Sequence, residues 1–495
     1  MLRVRIGRVR MTDSRPSLAS PLFWSTASSL GTQALAFLTF AVLARLLGAT
    51  AFGLVAIATL VIDLLVVVSN AGINEAVIQR RALSEIDADT AFWANLACGF
   101  AFCLATLAAA PLVAVAFDQP ALTPIVMALA PIFAITPLGA IHTARLTREL
   151  RFQSIAMRNL ASSLAGAAVG LPLAYAGFGP WALVAQRLAV AIVTVFAVWA
   201  SFRWLPRLRF NTNSCSEMVR FGAFIGIAGT LNQINIRCAE IISGALVGPA
   251  AIAFIRAGSR IAEVLNQITY MPFQQIAMPT LTRSAHDLET LRHTYLQLSR
   301  LSAFVMFPAF FGCLAMAHEI VGLVFGPGWE PVADAIRIFA CAVVASQMNN
   351  LMVAAITAVG ESRMVLSWTG AQIVIGGLAT VAASRWGWQA MLMVGVVRGY
   401  AILPYGFYLL RKYIGLRFVD IAATVRPALV SSFVMAAAVH LGASACSGVM
   451  PRVAVLSLWL SLGVLIYVAV YLWQDRQIIG QVESMIVTRR RARTR

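Results

Sequence analysis

Between residues 256 and 274, six polar side chains recur at helical spacing in an otherwise apolar stretch. They are Arg256, Arg260, Glu263, Gln267, Tyr270 and Gln274, at intervals of four, three, four, three and four. Those intervals place all six on one face of an α-helix. A second polar run precedes them, with Asn232, Gln233, Asn235, Arg237 and Glu240. A guanidinium is a planar fork that can hold phosphate oxygens two at a time. Arg237, Arg256 and Arg260 are therefore candidates for gripping an anion. Two acids lie farther upstream, Asp63 within "VIDLLV" and Glu75 within "GINEAV". Either could pair with an arginine or relay a coupling ion. The five histidines and seven cysteines show no metal-ligand spacing and no CxxC pair, and nothing resembles a nucleophile beside a base. Neither a catalytic nor a metal site is expected, and no cofactor.

The surroundings of these charges raise their significance. Of the 495 residues, 60% are hydrophobic and only 12% charged, and mean hydropathy is +0.81. A soluble domain carries about 25% charged residues. Apolar stretches long enough to cross a bilayer, about 20 residues each, recur along almost the whole chain. The expected fold is an all-α, polytopic membrane protein with about fourteen transmembrane helices. Asp63 and Glu75 fall in span two (52–76), Asn232, Asn235, Arg237 and Glu240 in span seven (221–246), and the stripe in span eight (250–277). Ionisable groups inside a membrane are costly, and lipid cannot face such a stripe. Two readings remain open. Arg237 with Glu240 and Arg260 with Glu263 could be i,i+3 pairs closing a bundle interior, or the arginines, three against two acids, could line a cationic cavity. Arg187, Asp334, Arg337 and Arg398 read as structural: Asp334 and Arg337 as an i,i+3 pair, Arg187 and Arg398 as arginines that snorkel near helix ends.

The positive charge is distributed by side. Of 38 Lys and Arg, only Arg45, Arg385 and Arg452 fall in connections on the less basic face. By the positive-inside rule both tails are cytoplasmic. The net charge of +18 thus needs no nucleic acid, and "RRRARTR" at residues 489–495 reads as a lipid anchor. The basic leader before the first span resembles a signal peptide, but the apolar segment after it exceeds a secretory h-region and reads as a retained span. No connection is long enough for a soluble domain.

The spans repeat. "LGATAFGL" (47–54) is echoed by "VGPAAIAF" (247–254), "VAFDQPALTP" (115–124) by "LVFGPGWEPV" (323–332), and "GFGPWAL" (177–183) by "RWGWQAM" (385–391). Six helices per repeat give both halves the same orientation, a parallel duplication. The expected organisation is a basic tail (1–20), an N-lobe of helices 1–6 (21–200), a linker (201–220), a C-lobe of helices 7–12 (221–410), helices 13–14 (411–475) and a basic tail (476–495). Two such lobes facing one another form a scaffold for alternating access, with a ligand held near the midplane. Pro272 and Pro279 should bend span eight.

Several segments carry a resemblance: "LARLLGATAFGLVAIATLVI", "AGINEAVIQR", "RELRFQSIA", "GPWALVAQRLA" and "LVFGPGWEPVADAIRI". Over roughly residues 20 to 420 the chain resembles the Wzx-type oligosaccharide flippases of lipopolysaccharide and exopolysaccharide synthesis. These belong to the multidrug/oligosaccharidyl-lipid/polysaccharide exporter superfamily. The resemblance implies a flippase in the bacterial inner membrane that moves a polyprenyl-diphosphate-linked oligosaccharide repeat unit to the periplasmic leaflet. It implies a central cavity lined by helices one, two, seven and eight. Arg237, Arg256 and Arg260 would then neutralise diphosphate or acidic sugars, and Asn232, Asn235 and Gln267 would meet sugar hydroxyls. Asp63, Glu75, Glu240 and Glu263 would tune the arginines or bind a coupling H+ or Na+, and helices 13–14 would cradle the polyprenyl tail. Membrane lipids and polysaccharide polymerase and chain-length machinery are the implied partners. The alternatives are a lipid II flippase, a cation-coupled drug antiporter, for which an acidic cavity would be expected, and a polymerase or ligase, for which a large extracytoplasmic loop would be expected.

Overall fold

The computed structural model describes residues 19–69, 72–80, 83–149, 151–360, 362–446 and 451–475. Among the described residues the regular structure is helical, with no strand. The first half comprises α1 (Ala19–Ser69), α2 (Ile73–Gln79), α3 (Glu85–Ala116), α4 (Leu122–Leu129), α5 (Ile132–Arg148), α6 (Phe152–Tyr175) and α7 (Pro180–Ser201). The second comprises α8 (Thr212–Leu246), α9 (Pro249–Thr269), α10 (Met271–Ser284), α11 (Leu288–Ala315), α12 (Ala317–Val324), α13 (Val332–Cys341), α14 (Val343–Ala358), α15 (Ser362–Ala383) and α16 (Trp388–Tyr413). The last pair is α17 (Phe418–Cys446) and α18 (Arg452–Gln474).

The chain is a multi-pass membrane protein. Among the described residues eight helices are long and apolar enough to cross a bilayer, or nine if α13 and α14, bent by 42°, form one span. That test does not reach the expected fourteen. One reason is that α1 counts once although Gly48 divides it. Another is that α9 carries Arg256, Arg260 and Glu263, the charges that make it of interest.

Two glycines explain the first sequence echo. Gly48 sits at φ 72°, ψ 167° between the arms of α1, and Gly248 sits at φ 109°, ψ −178° just before α9. Only glycine adopts this region readily. In both halves a single residue therefore reverses the chain. Gly53 lies inside the second arm of α1. A Cβ there would stand 2.0 Å from the Pro249 carbonyl oxygen, so the two hairpin tips meet backbone to backbone.

The largest shared core lies between the halves. It joins Phe52, Val55, Ile57 and Leu60 of α1 to Ile252, Ala253 and Ala257 of α9 and to Phe325, Trp329 and Val332. Trp329, 1% exposed, packs edge-on against Phe52 with ring centres 5.8 Å apart. At the opposite end Gly72 abuts Gly222: a Cβ on either would fall within 2.6 Å of the other's backbone. There Arg80 donates to Ser214 Oγ (3.2 Å) and Glu217 Oε2 (3.2 Å). The halves thus touch at both ends, leaving the polar groups between. The final pair packs on the second half, where the Tyr467 hydroxyl donates to the Phe304 carbonyl (2.8 Å).

Candidate functional site

The polar stripe survives folding for about three turns. Arg256, Arg260 and Glu263 lie partly buried on one face of α9, with Gln267 half-buried below them. Tyr270 departs from the stripe. The helix breaks there, Pro272 starts α10, and Tyr270 (7% exposed) turns into the core of the second half. The break is the bend expected from the prolines, and it removes Tyr270 from any cavity wall.

The arginines form a network across three helices. Arg237 Nη1 donates to both Glu240 oxygens, at 2.9 and 3.2 Å. Arg256 Nε donates to the same carboxylate at 3.1 Å, and its Nη1 donates to Thr59 Oγ1 at 2.9 Å. Arg260 Nη1 reaches Glu263 (3.3 Å), and its Nη2 reaches Gln33 Oε1 (3.3 Å). The expected i,i+3 pairs are present, yet the network does not end with them. Through Thr59 and Gln33 the stripe grips the first half, and Arg256 Nη2 is buried without a hydrogen-bond partner among the described residues. A buried donor left unmade costs roughly 1–3 kcal/mol, so that nitrogen is where an incoming acceptor gains most.

Asp63 occupies a separate place. It forms an ion pair with Arg187 of α7, so Arg187 does not snorkel as its position near a helix end suggested. It points inward because a carboxylate faces it. Arg398 also turns inward, donating to the Gln372 carbonyl at 3.0 Å, and its guanidinium packs on Gly376, where a side chain would collide with it. Asp334 and Arg337 pair at 3.8 Å, as expected. Glu75 is not brought to the others. It follows Gly72 on α2, outside the α1 arm that carries Asp63, and its buried Oε2 has no hydrogen-bond partner among the described residues. Asn232 and Asn235 fall on α8, but their side chains lie outside the described residues.

Two cavities flank the network. One, of about 280 Å³ in the second half, is lined by Arg237, Glu240, Ser259, Glu263, Asn266 and Arg398 among apolar groups. The other, of about 480 Å³, is lined by residues of α1, α5 and α7 together with Arg256 of α9. Sequence reasoning missed Gln33 and Thr59. Thr59 was detectable one turn before Asp63 on the same helical face, and Gln33 as an isolated amide in an apolar stretch. Among the described residues no group of His, Cys, Asp and Glu could hold a metal ion.

Comparison with known proteins places this geometry in context. The chain is 23% identical over 480 residues to the succinoglycan biosynthesis transport protein ExoT of Rhizobium meliloti (strain 1021), covering 94% of this chain and 95% of that one. It is 24% identical over 331 residues to the lipopolysaccharide biosynthesis protein WzxC of Escherichia coli (strain K12), covering 66% and 67%. Among solved structures, the lipid II flippase MurJ in an inward closed conformation superposes with a TM-score of 0.73 at 11% identity, over 92% of this chain and all of that one. An inward-facing MATE-family multidrug transporter superposes with a TM-score of 0.60 at 16% identity, over 77% and 94%. These likenesses establish a shared fold. The model of the family described as polysaccharide biosynthesis protein matches residues 42–334, more than half of the chain, and the chain belongs to that family.

Proposed function

We propose that the protein is a flippase that carries a polyprenyl-diphosphate-linked oligosaccharide repeat unit across the bacterial inner membrane by alternating access, for cell-surface or exopolysaccharide synthesis. The observation that carries this reading is Arg256. It bridges the halves through Thr59, shares Glu240 with Arg237, and keeps one buried nitrogen free at their junction. Arg237, Arg256 and Arg260 receive the diphosphate, while Gln267, Asn232 and Asn235 meet sugar hydroxyls. Asp63, Glu240 and Glu263 hold the arginines in place and are the groups available for a coupling H+ or Na+; Glu75 would serve only at the α2 end. The two repeats move as N-lobe (21–200) and C-lobe (221–410), helices 13–14 (411–475) cradle the lipid, and both tails face the cytoplasm. The names of the relatives support polysaccharide synthesis as the process. The arginine-rich network argues against a pump for cationic drugs, which acids would serve better.

The test is the double variant Arg256→Ala/Arg260→Ala. Membrane insertion should be intact, polysaccharide export should be lost, and lipid-linked repeat units should accumulate in the cytoplasmic leaflet. Normal export in that variant would sink the proposal.

A further inference from the structure

The 480 Å³ cavity of the first half has a composition that the stripe alone does not explain. Its size falls in the range of small-molecule sites, about 300–1,000 Å³. Its polar lining is Arg187, Arg256, Gln186, Thr59, Thr136 and Thr194. Both arginines are paired with carboxylates, Arg187 with Asp63 and Arg256 with Glu240. Neither carboxylate lines the cavity. The acids stand behind the guanidiniums, so the wall presents two cations and no anion. The smaller cavity differs, because Glu240 and Glu263 line it beside Arg237 and Arg398.

The hydroxyls are also oriented. Thr59, Thr136 and Thr194 each donate to a carbonyl of their own helix, those of Ala56, Ile132 and Val190. Thr59 also accepts from Arg256 Nη1 and Thr194 also bonds Ser162 Oγ, so what the three offer the cavity is their remaining acceptor lone pairs, suited to hydroxyl donors. Phe40 and Phe52 add apolar ring surface to the wall. Ring surface, acceptors for hydroxyls, an amide and two guanidiniums together match a pyranose that carries an acid group. The C–H face rests on an aromatic ring, the hydroxyls donate to threonines, and the acid meets arginine.

We propose that this cavity is a glycosyl subsite that takes an anionic sugar unit of the lipid-linked oligosaccharide, with Arg187 as the residue that selects for the acid group. The proposal rests on the flippase reading and extends it, because the diphosphate stays on the α8–α9 arginines while the sugar reaches into the first half. Asp63 holds Arg187 from outside the cavity lining.

The anion at Arg187 could instead be the diphosphate common to every substrate, and the experiment separates the two sources. Full-length protein is reconstituted in vesicles with two matched probes, a polyprenyl-diphosphate disaccharide ending in glucuronic acid and one ending in glucose. Wild type should prefer the glucuronate probe by about tenfold, the worth of one charge-assisted hydrogen bond. Arg187→Ala should bring the glucuronate probe down to the glucose rate and leave the glucose probe unchanged. Arg187→Lys, which keeps the charge opposite Asp63 but not the guanidinium fork, should retain only part of the preference for the glucuronate probe. Equal losses on both probes in Arg187→Ala, or no loss on either, would overturn the subsite. So would an Arg187→Lys variant that loses as much on the glucose probe as on the glucuronate probe. A wild type that moves neither probe overturns the flippase reading itself, and the subsite with it.

Discussion

Glu240 is 5% exposed and holds two guanidiniums at once, Arg237 from its own helix and Arg256 from α9. Removing a shared buried counter-charge leaves both arginines uncompensated, which costs about 3–5 kcal/mol where it has been measured in other proteins. Glu240→Ala should therefore lower the thermal stability of the detergent-solubilised protein sharply. Glu263→Ala provides the contrast. Its side chain is 44% exposed and bound to one arginine, so the loss should stay below about 1 kcal/mol. Comparable melting shifts for the two variants would refute the network's asymmetry. At this scale the sequence was partly legible. Periodicity identified the arginine stripe and both i,i+3 pairs, because those depend only on helical geometry. It could not identify Arg256 with Glu240, which requires the register of α8 against α9. Nor could it identify Arg187 with Asp63, which lie 124 positions apart.

At the level of the elements, the first tip of the repeat divides its roles between two nearby glycines. Gly48 supplies a backbone conformation and has nothing near its α-carbon's open side, whereas Gly53 supplies room for Pro249. The two should fail differently. Gly48→Ala should cost about 1–3 kcal/mol of stability through strain, read as a lower melting temperature with residual transport at permissive temperature. Gly53→Ala should leave each hairpin folded but hold the tips apart, lowering transport more than stability. If Gly53→Ala transports normally, the close approach at Pro249 is dispensable to the cycle. Helix type and most boundaries followed from hydropathy and proline, including the break after Thr269. The single-residue reversal at Gly48 was not specified by the echo of the two tips. A positive φ leaves no trace in sequence beyond the glycine itself, and two glycines stood within six residues.

For the molecule as a whole, composition and the duplicated tips were enough to indicate a two-lobed helical bundle, because both reflect global constraints of the bilayer. How the halves meet was not legible, since it depends on backbone contacts between distant glycines. The structure has the halves touching at both ends, through Gly53 with Pro249 at one and Gly72 with Gly222 at the other. Alternating access requires these seams to open in turn. A methyl group wedged in one seam should therefore bias the protein toward opening at that end and closing at the other. Thr59→Cys provides a reporter, because Thr59 lines the first-half cavity between the two seams. With both tails cytoplasmic, as proposed, the Gly72–Gly222 seam is the cytoplasmic one, and in Gly222→Ala a membrane-impermeant maleimide should label that cysteine faster from the cytoplasmic side than in the unwedged reporter protein, and more slowly from the periplasmic side. In Gly53→Ala both changes should reverse. Labelling that rises from both sides in either variant would mean that the seams open independently, and the halves would then not move as coupled rigid bodies.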